Sequence, residues 1–354
     1  IRQATPGAYL DCGESGSTLR FMLPVVAALG RGGSLDGHGR LAERPLSPLY
    51  EELVCHGVTL STRGELPLEV SGTLLPGRFS IPGNVSSQFV SGLLMAAPLL
   101  SAPSEIVVTE PVESRSYIRL TIRSLAEFGI DVGVTHETVD GNRATVLSVS
   151  PARSAVSPGT VTVEGDWSNA AFWLAAGAVA GGVSVSGLDL ASAQGDRAIM
   201  ACAAAFGARV GRSGNVATTI PDALRGRTID VRDTPDLVPP LAAIAANATG
   251  TTVIANAGRL RLKESDRLKT VLAALTAMGA SIEEKPDALV IHGKGPLSGG
   301  TVDAANDHRI AMMAAIAGAN ATGPTTIRGA ECVAKSYPRF FEDFRALGGI
   351  AEEG

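Results

Sequence analysis

The chain has 354 residues, 45% apolar and 4% aromatic, with 30 Lys and Arg against 35 Asp and Glu for a formal charge of −5. This length exceeds one ordinary core and suits two domains, and the acidic balance disfavours a general nucleic-acid surface. The four cysteines, Cys12, Cys55, Cys202 and Cys332, form no C-x-x-C pair and have no histidine beside them at zinc-ligand spacing. They read as free thiols of a reducing compartment, with no metal site. No uninterrupted apolar run reaches the roughly 18 residues of a membrane helix, so the chain reads as a soluble, cytoplasmic protein.

Taken in chain order, five segments share one plan: 33–57, 105–129, 182–207, 250–279 and 323–348. Each opens on a short β-type run (GSLDG, EIVVTE, GVSVSG, GTTVIANA, GPTTIRG). A polar loop follows, then an amphipathic helix that stops at glycine (YEELVCHG, IRSLAEFG, MACAAAFG, VLAALTAMG, FEDFRALG). Glycine stops a helix well because it enters the left-handed region without steric cost. Before each segment lies a second, small-residue helix, such as SSQFVSGLLMAAPLL or DHRIAMMAAIAGANATG. These are apolar on most sides and are predicted to be buried.

The segment starts recur about every 70–75 residues, the size of a supersecondary unit rather than a solenoid module of 20–50 residues. The first copy begins almost at the chain's start, with little room for a strand before its helix. Six copies in two domains of three would place the joint near SPGTVTVEGD. The predicted domains are 1–163 and 164–354, the first of them lacking one repeat.

Polar residues cluster at the helix starts: Gly16–Arg20, Glu43–Arg44–Pro45, Ser86–Ser87–Gln88, Ser114–Tyr117, Pro235–Asp236, Lys263–Arg267, Asn306–Arg309 and Lys335–Tyr337. Helix N-termini aimed at one cleft gather N–H groups and positive dipole ends, and arginines there grip phosphate or carboxylate through two nitrogens. Each item alone has a plainer reading. Ser86–Ser87–Gln88 reads as a cap, Asp236 as a cap, His308 as a satisfied core histidine, and Lys263–Arg267 as a solvated helix face. Repetition at equivalent points of separate units favours a site.

The ordered set G-x-x-x-R (16–20), E-R-P (43–45), S-S-Q-F (86–89), S-x-x-Y (114–117), P-D (235–236), K-E-S-D-R-L (263–268), N-D-H-R-I-A-M (306–312) and A-K-S-Y-P (334–338) resembles the 5-enolpyruvylshikimate-3-phosphate (EPSP) synthase family along the chain. V-E-G-D at 163–166, followed by Ser168, resembles the family's domain joint. The resemblance implies an α/β enolpyruvyl transferase fold of two similar domains built from βαβαββ units. It implies a monomeric enzyme of the shikimate pathway, in aromatic amino-acid biosynthesis, that needs no cofactor or metal. Shikimate 3-phosphate and phosphoenolpyruvate are its substrates: the 5-hydroxyl adds to the enol carbon, and phosphate leaves from a tetrahedral intermediate.

By the same resemblance, Arg44, Arg267, Arg309 and Lys335 hold phosphoenolpyruvate, helped by the Gly16 backbone and Gln88. Ser86, Ser87, Gln88, Ser114 and Tyr117 hold shikimate 3-phosphate, and Asp236 and Lys263 contact its ring hydroxyls. Asp236 is the candidate base, Glu264 the candidate proton donor to the methylene carbon, and His308 a proton-transfer or orienting group. Lys335 is an alternative donor. Members insensitive to the inhibitor glyphosate often carry Ala at the position of Gly16.

Departures from the family pattern include Arg259 where Asn is frequent, Arg115–Ser116 for a Lys-Pro pair, and Phe21 for Pro. The family's Lys-Ser pair followed by Arg does not precede Gly16, so the chain is expected to lack the first repeat. Three rival readings exist. A UDP-N-acetylglucosamine enolpyruvyl transferase carries a catalytic Cys in the stretch matching 36–44, which here has none. A repeat-built RNA-binding protein needs basic surface and aromatics. The third is an inactive ligand-binding fragment.

Overall fold

The computed structural model describes residues 6–152 and 155–354. They fall into two compact units, one ending at Thr162 and the other beginning at Val163.

The first unit contains β1 (Ala8–Asp11), α1 (Gly16–Leu29), β2 (Gly33–Asp36), α2 (Leu49–Cys55), β3 (Val58–Leu60) and β4 (Leu68–Gly72), then β5 (Arg78–Pro82), α3 (Ser87–Ala96), β6 (Ser104–Thr109), α4 (Arg115–Glu127), β7 (Val132–Val139) and β8 (Asn142–Val149). The two sheets have equivalent orders, β1-β2-β4-β3 and β5-β6-β8-β7. In each, the first two strands are parallel across a helix and the last two form an antiparallel hairpin. This is the βαβαββ plan. The strand expected to be barely present before the first helix is formed: β1 pairs with β2 residue for residue from Ala8–Gly33 to Asp11–Asp36.

The second unit opens with α5 (Trp167–Val179), β9 (Val183–Val185), α6 (Ile199–Phe206), β10 (Arg209–Ser213) and β11 (Val216–Ile220), whose sheet order is β10-β11-β9. A complete βαβαββ set follows: β12 (Thr228–Asp230), α7 (Val238–Asn247), β13 (Thr249–Ala255), α8 (Arg267–Ala277), β14 (Ser281–Lys285) and β15 (Ala288–Lys294), ordered β12-β13-β15-β14. Last come β16 (Gly300–Asp303), α9 (His308–Gly318), β17 (Thr325–Arg328) and α10 (Phe340–Ala346), with β16 and β17 parallel.

The helices stop as the sequence requires. Gly57, Gly129, Gly207, Gly279 and Gly348, just beyond α2, α4, α6, α8 and α10, all have positive φ, between 74° and 112°. The small-residue helices form the interior. In the second unit α5, α7 and α9 pack on one another, and every residue of α7 is buried. In the first, α1 packs on α3 so closely that a Cβ on Gly92 would lie 2.3 Å from the Arg20 carbonyl oxygen. Each unit has its own apolar core, with Leu19, Leu23, Phe79 and Phe89 in the first and Trp167, Phe172, Phe206 and Phe340 in the second. These close-packed cores hold the helix N-termini, and the polar groups on them, at fixed positions.

Candidate active site

In the first unit, a buried arginine organises the helix starts. Arg20 projects from α1, where Ser15 caps the N-terminus by accepting from Thr18 N at 3.1 Å. Its Nη1 donates to Gln88 Oε1 at 2.7 Å and its Nη2 to the Pro45 carbonyl at 2.8 Å, while its guanidinium lies 5.3 Å from the Phe89 ring centroid. Gln88 Nε2 in turn donates to Ser17 Oγ at 2.7 Å. The starts of α1 and α3 and the Glu43–Pro45 segment are thereby fastened together. Gly16 faces Arg44 directly: a Cβ added at Gly16 would stand 2.5–2.8 Å from the Arg44 guanidinium atoms.

Ser86 is the N-cap of α3 and accepts from Gln88 N at 3.3 Å, so it caps, as its plainer reading holds. Ser87 is buried. Ser114 is also buried and takes φ 55°, a strained left-handed backbone for a non-glycine residue, at the start of α4. Tyr117 lies in the first turn of that helix and donates its backbone N–H to Ser114 O at 3.1 Å. The Ser91–Thr121 hydrogen bond of 2.7 Å locks α4 to α3.

In the second unit, Arg267 plays the organising part. Its side chain is 1% exposed and three carboxylates surround it. Nε donates to Asp307 Oδ2 at 2.8 Å, Nη1 to Asp236 Oδ1 at 2.9 Å, and Nη2 to Glu264 Oε2 at 2.6 Å and Asp307 Oδ1 at 3.3 Å. This is the opposite of the solvated face that Lys263–Arg267 alone could have made. Asp307 also accepts from Ser265 Oγ at 2.9 Å and caps α9 through Arg309 N at 3.0 Å.

Two further cations, Lys263 and Arg309, lie beside Asp236, on the 3-10 turn Pro235–Leu237. Lys263 Nζ is 3.3 Å from its Oδ1 and Arg309 Nη2 is 3.8 Å from its Oδ2. Burial opposes ionisation of Asp236, but Lys263, Arg309 and Arg267 more than offset it and hold the carboxyl well below the usual range. Lys335 Nζ donates to Asn306 O at 2.8 Å, which brings it to the loop before α9. His308, at the start of α9, is 8% exposed and its Nδ1 has no partner among the described residues. Burial, then Arg309 and Arg267, push its pKa down to about 4.

Within the first unit, the structure therefore groups Gly16, Arg44 and Gln88, with Ser86, Ser87, Ser114 and Tyr117 on the neighbouring starts of α3 and α4. Within the second it groups Asp236, Lys263, Glu264, Arg267, His308, Arg309 and Lys335. Arg20 and Asp307 are the connectors that sequence reasoning left out of the site. Each had a signal: a lone arginine in the apolar helix STLRFMLPVVAAL, and an acid at the N-cap of the following apolar helix. Arg259, at the position of the family's frequent Asn, spends Nη2 on the Arg232 carbonyl at 2.8 Å.

Repeated βαβαββ units with arginine-lined helix starts are the architecture of an enolpyruvyl transferase, and solved structures agree. The fold matches EPSP synthase from Acinetobacter baumannii with a TM-score of 0.75 and 27% identity, covering 97% of this chain and 79% of that one. It also matches the enolpyruvyl transferase NikO from Streptomyces tendae with a TM-score of 0.71 and 20% identity, covering 94% and 76%, a likeness of fold alone. The profile of EPSP synthase (3-phosphoshikimate 1-carboxyvinyltransferase) matches residues 2–344. The 3-phosphoshikimate 1-carboxyvinyltransferase of Clostridium kluyveri is 45% identical over 347 residues, covering 97% of this chain and 79% of the relative. That of Clostridium novyi is 41% identical, covering 97% and 78%. The chain belongs to the EPSP synthase family.

Proposed function

We propose that the chain transfers the carboxyvinyl group of phosphoenolpyruvate to the 5-hydroxyl of 3-phosphoshikimate and releases phosphate. The observation that carries this reading is the cluster in which buried Arg267 braces Asp236 and Glu264 while Lys263 and Arg309 stand beside Asp236 and Lys335 reaches the Asn306 carbonyl before α9. Such a cluster supplies what the reaction needs: a carboxylate to accept a hydroxyl proton, an acid for the methylene carbon, and cations for the anions.

Asp236 is ionised and fits the base. Glu264 fits the proton donor to the methylene carbon. His308 is neutral at physiological pH, which fits an orienting group or a proton acceptor better than an acid. Arg267 has most of its donors committed to carboxylates, so its geometry supports a brace rather than a direct ligand of phosphoenolpyruvate. Arg309 and Lys335 bind that substrate, as do Arg44, Gln88 and the Gly16 backbone. Ser86, Ser87, Gln88, Ser114, Tyr117 and Lys263 hold 3-phosphoshikimate. We read the protein as a cytoplasmic monomer with domains 1–163 and 164–354; no helix among the described residues is long and apolar enough to cross a membrane.

The test is phosphate release on mixing the two substrates, with the enol ether product identified by mass spectrometry. Release with UDP-N-acetylglucosamine in place of 3-phosphoshikimate would favour the rival transferase. The cysteine-free stretch 36–44 argues against it, and Cys55 lies on α2 instead.

A further inference from the structure

A carboxylate that the proposed chemistry does not use lies beside the Asp236 cluster. Asp196 stands on the 3-10 turn Gly195–Ala198, which leads into α6. Gln194 fastens this turn to the start of α5: its Nε2 donates to Gly165 O and its Oε1 accepts from Trp167 N, both at 2.9 Å. Asp196 is 3% exposed, and its Oδ1 has no hydrogen-bond partner among the described residues. The Ser168 hydroxyl, in the first turn of α5, lies close to Asp196 but forms no well-shaped hydrogen bond with it.

The charges that act on Asp196 come from other elements. Asp236 comes from the turn before α7, which packs against α5; Arg309 comes from α9; and Asp166 is the N-cap of α5. Helix α6 contributes no charged residue, and Arg197 on the same turn donates to the Leu190 carbonyl. An ionised carboxylate with an unsatisfied oxygen in a dry site is costly, and a second carboxylate nearby adds to the cost. Burial and Asp236 accordingly push Asp196 up to about 6, against the pull of Arg309.

The charge on Asp196 bears on anion binding at Arg309. An ionised Asp196 adds a second carboxylate to Asp236 in the field of that guanidinium; a protonated one leaves more of the Arg309 charge for an incoming anion.

We infer that Asp196 is the proton-holding member of this cluster: it takes a proton from solvent when an anion settles on Arg309 and returns it when the anion leaves. This rests on the reading of Arg309 as an anion-binding residue. The sign follows from linkage. A bound anion adds negative charge near Asp196 and raises its affinity for a proton. Anion affinity therefore falls as pH rises through the range between the free and the anion-bound values of Asp196.

The probe is inorganic sulfate, a dianion that does not itself titrate in this range, with Kd measured from about pH 5.5 to about pH 8. His308, already neutral in this range, contributes little to the slope. The parent protein should weaken about tenfold across the range, as expected for a charge interaction equivalent to about one pKa unit. Asp196→Asn should keep the tight, acid-side affinity throughout, with circular dichroism confirming its fold. The same slope in parent and Asp196→Asn overturns the inference. If the variant does not fold, calorimetry of the parent in two buffers of different ionisation heat decides instead. Net proton uptake with sulfate near pH 6.5 supports the inference, and none overturns it. Arg309→Ala separates the two claims: unchanged sulfate binding in that variant sinks the reading of Arg309, whatever Asp196 does.

Discussion

Asp307 grips Arg267 through two nitrogens, 2.8 Å from Nε and 3.3 Å from Nη2, and both side chains are sealed from solvent. Asp307→Asn leaves Arg267 its contacts with Asp236 and Glu264 but removes the charge from the two-nitrogen grip. It is expected to lower the unfolding free energy by about 1–3 kcal/mol at neutral pH, the range for a buried hydrogen bond to a charged group, as read from urea melts. Burial opposes the Asp307 charge, but Arg267 more than offsets it and holds the carboxyl below the usual carboxylate range. A depressed carboxylate stabilises the fold above its unfolded value, roughly pH 4, and that stability is lost as the pH falls further. The parent should therefore lose more stability on acidification through that range than Asp307→Asn does. Equal acid sensitivity would contradict the assignment.

The neighbouring His308 acts in a different window. Its folded value of about 4 lies below the usual histidine value, so the folded protein favours the neutral ring. Stability from this group is complete above roughly pH 6.5 and is lost on acidification toward the folded value. His308→Gln should flatten the stability profile between those limits by an amount on the order of 1–3 kcal/mol. Denaturant melts at half-unit pH intervals would reveal it. A variant profile that overlays the parent's would show that His308 is not the buried neutral group described.

Gly16→Ala tests the approach to Arg44. The new methyl meets the end of a flexible side chain rather than backbone, so the guanidinium moves aside. Stability should change by less than about 1 kcal/mol, while KM for phosphoenolpyruvate rises several-fold more than KM for 3-phosphoshikimate. Glyphosate inhibition should weaken in parallel. Inhibition curves that coincide for the two proteins would rule this out.

Glu264→Gln keeps the shape of the side chain and a hydrogen bond to Arg267 but removes the ionisable acid. Both substrates should still bind, with turnover reduced by about 10²–10⁴-fold. Solvent deuterium should no longer enter the methylene group during reaction, followed by mass spectrometry. Incorporation near the parent rate would transfer the donor role to Lys335, since His308 is neutral at working pH.

Much of the scaffold was legible because it rests on local rules. The small-residue helices, the glycine stops and the β-type runs each answer to a few neighbouring residues, and they appear where the periodicity placed them. The candidate site was legible as a set of helix starts but not as a network. Lys263–Arg267 looks the same in sequence whether it lies on water or is buried; only the arrival of Asp236 and Asp307 from distant parts of the chain decides which. Arg20 was read as part of the G-x-x-x-R motif but given no role in the site, because its partners, the Pro45 carbonyl and Gln88, lie 25 and 68 residues away. The pairing of β1 with β2 was hard to foresee for a similar reason, since a four-residue strand gains its stability from the strand beside it.

The arrangement around Arg267 also constrains how the sequence can change. Asp236, Glu264 and Asp307 all bond to the same guanidinium, so losing the arginine removes a shared partner from three acids at once, although Asp236 keeps Lys263 and Arg309, while losing one acid leaves the arginine two others. Lysine cannot replace it, because one ammonium lacks the planar fork that reaches three partners at fixed angles. These four positions thus form an epistatic block. A substitution that is tolerable in isolation elsewhere becomes conditional here on what occupies the other three, and drift through this part of the protein has to proceed by coordinated replacements rather than single steps.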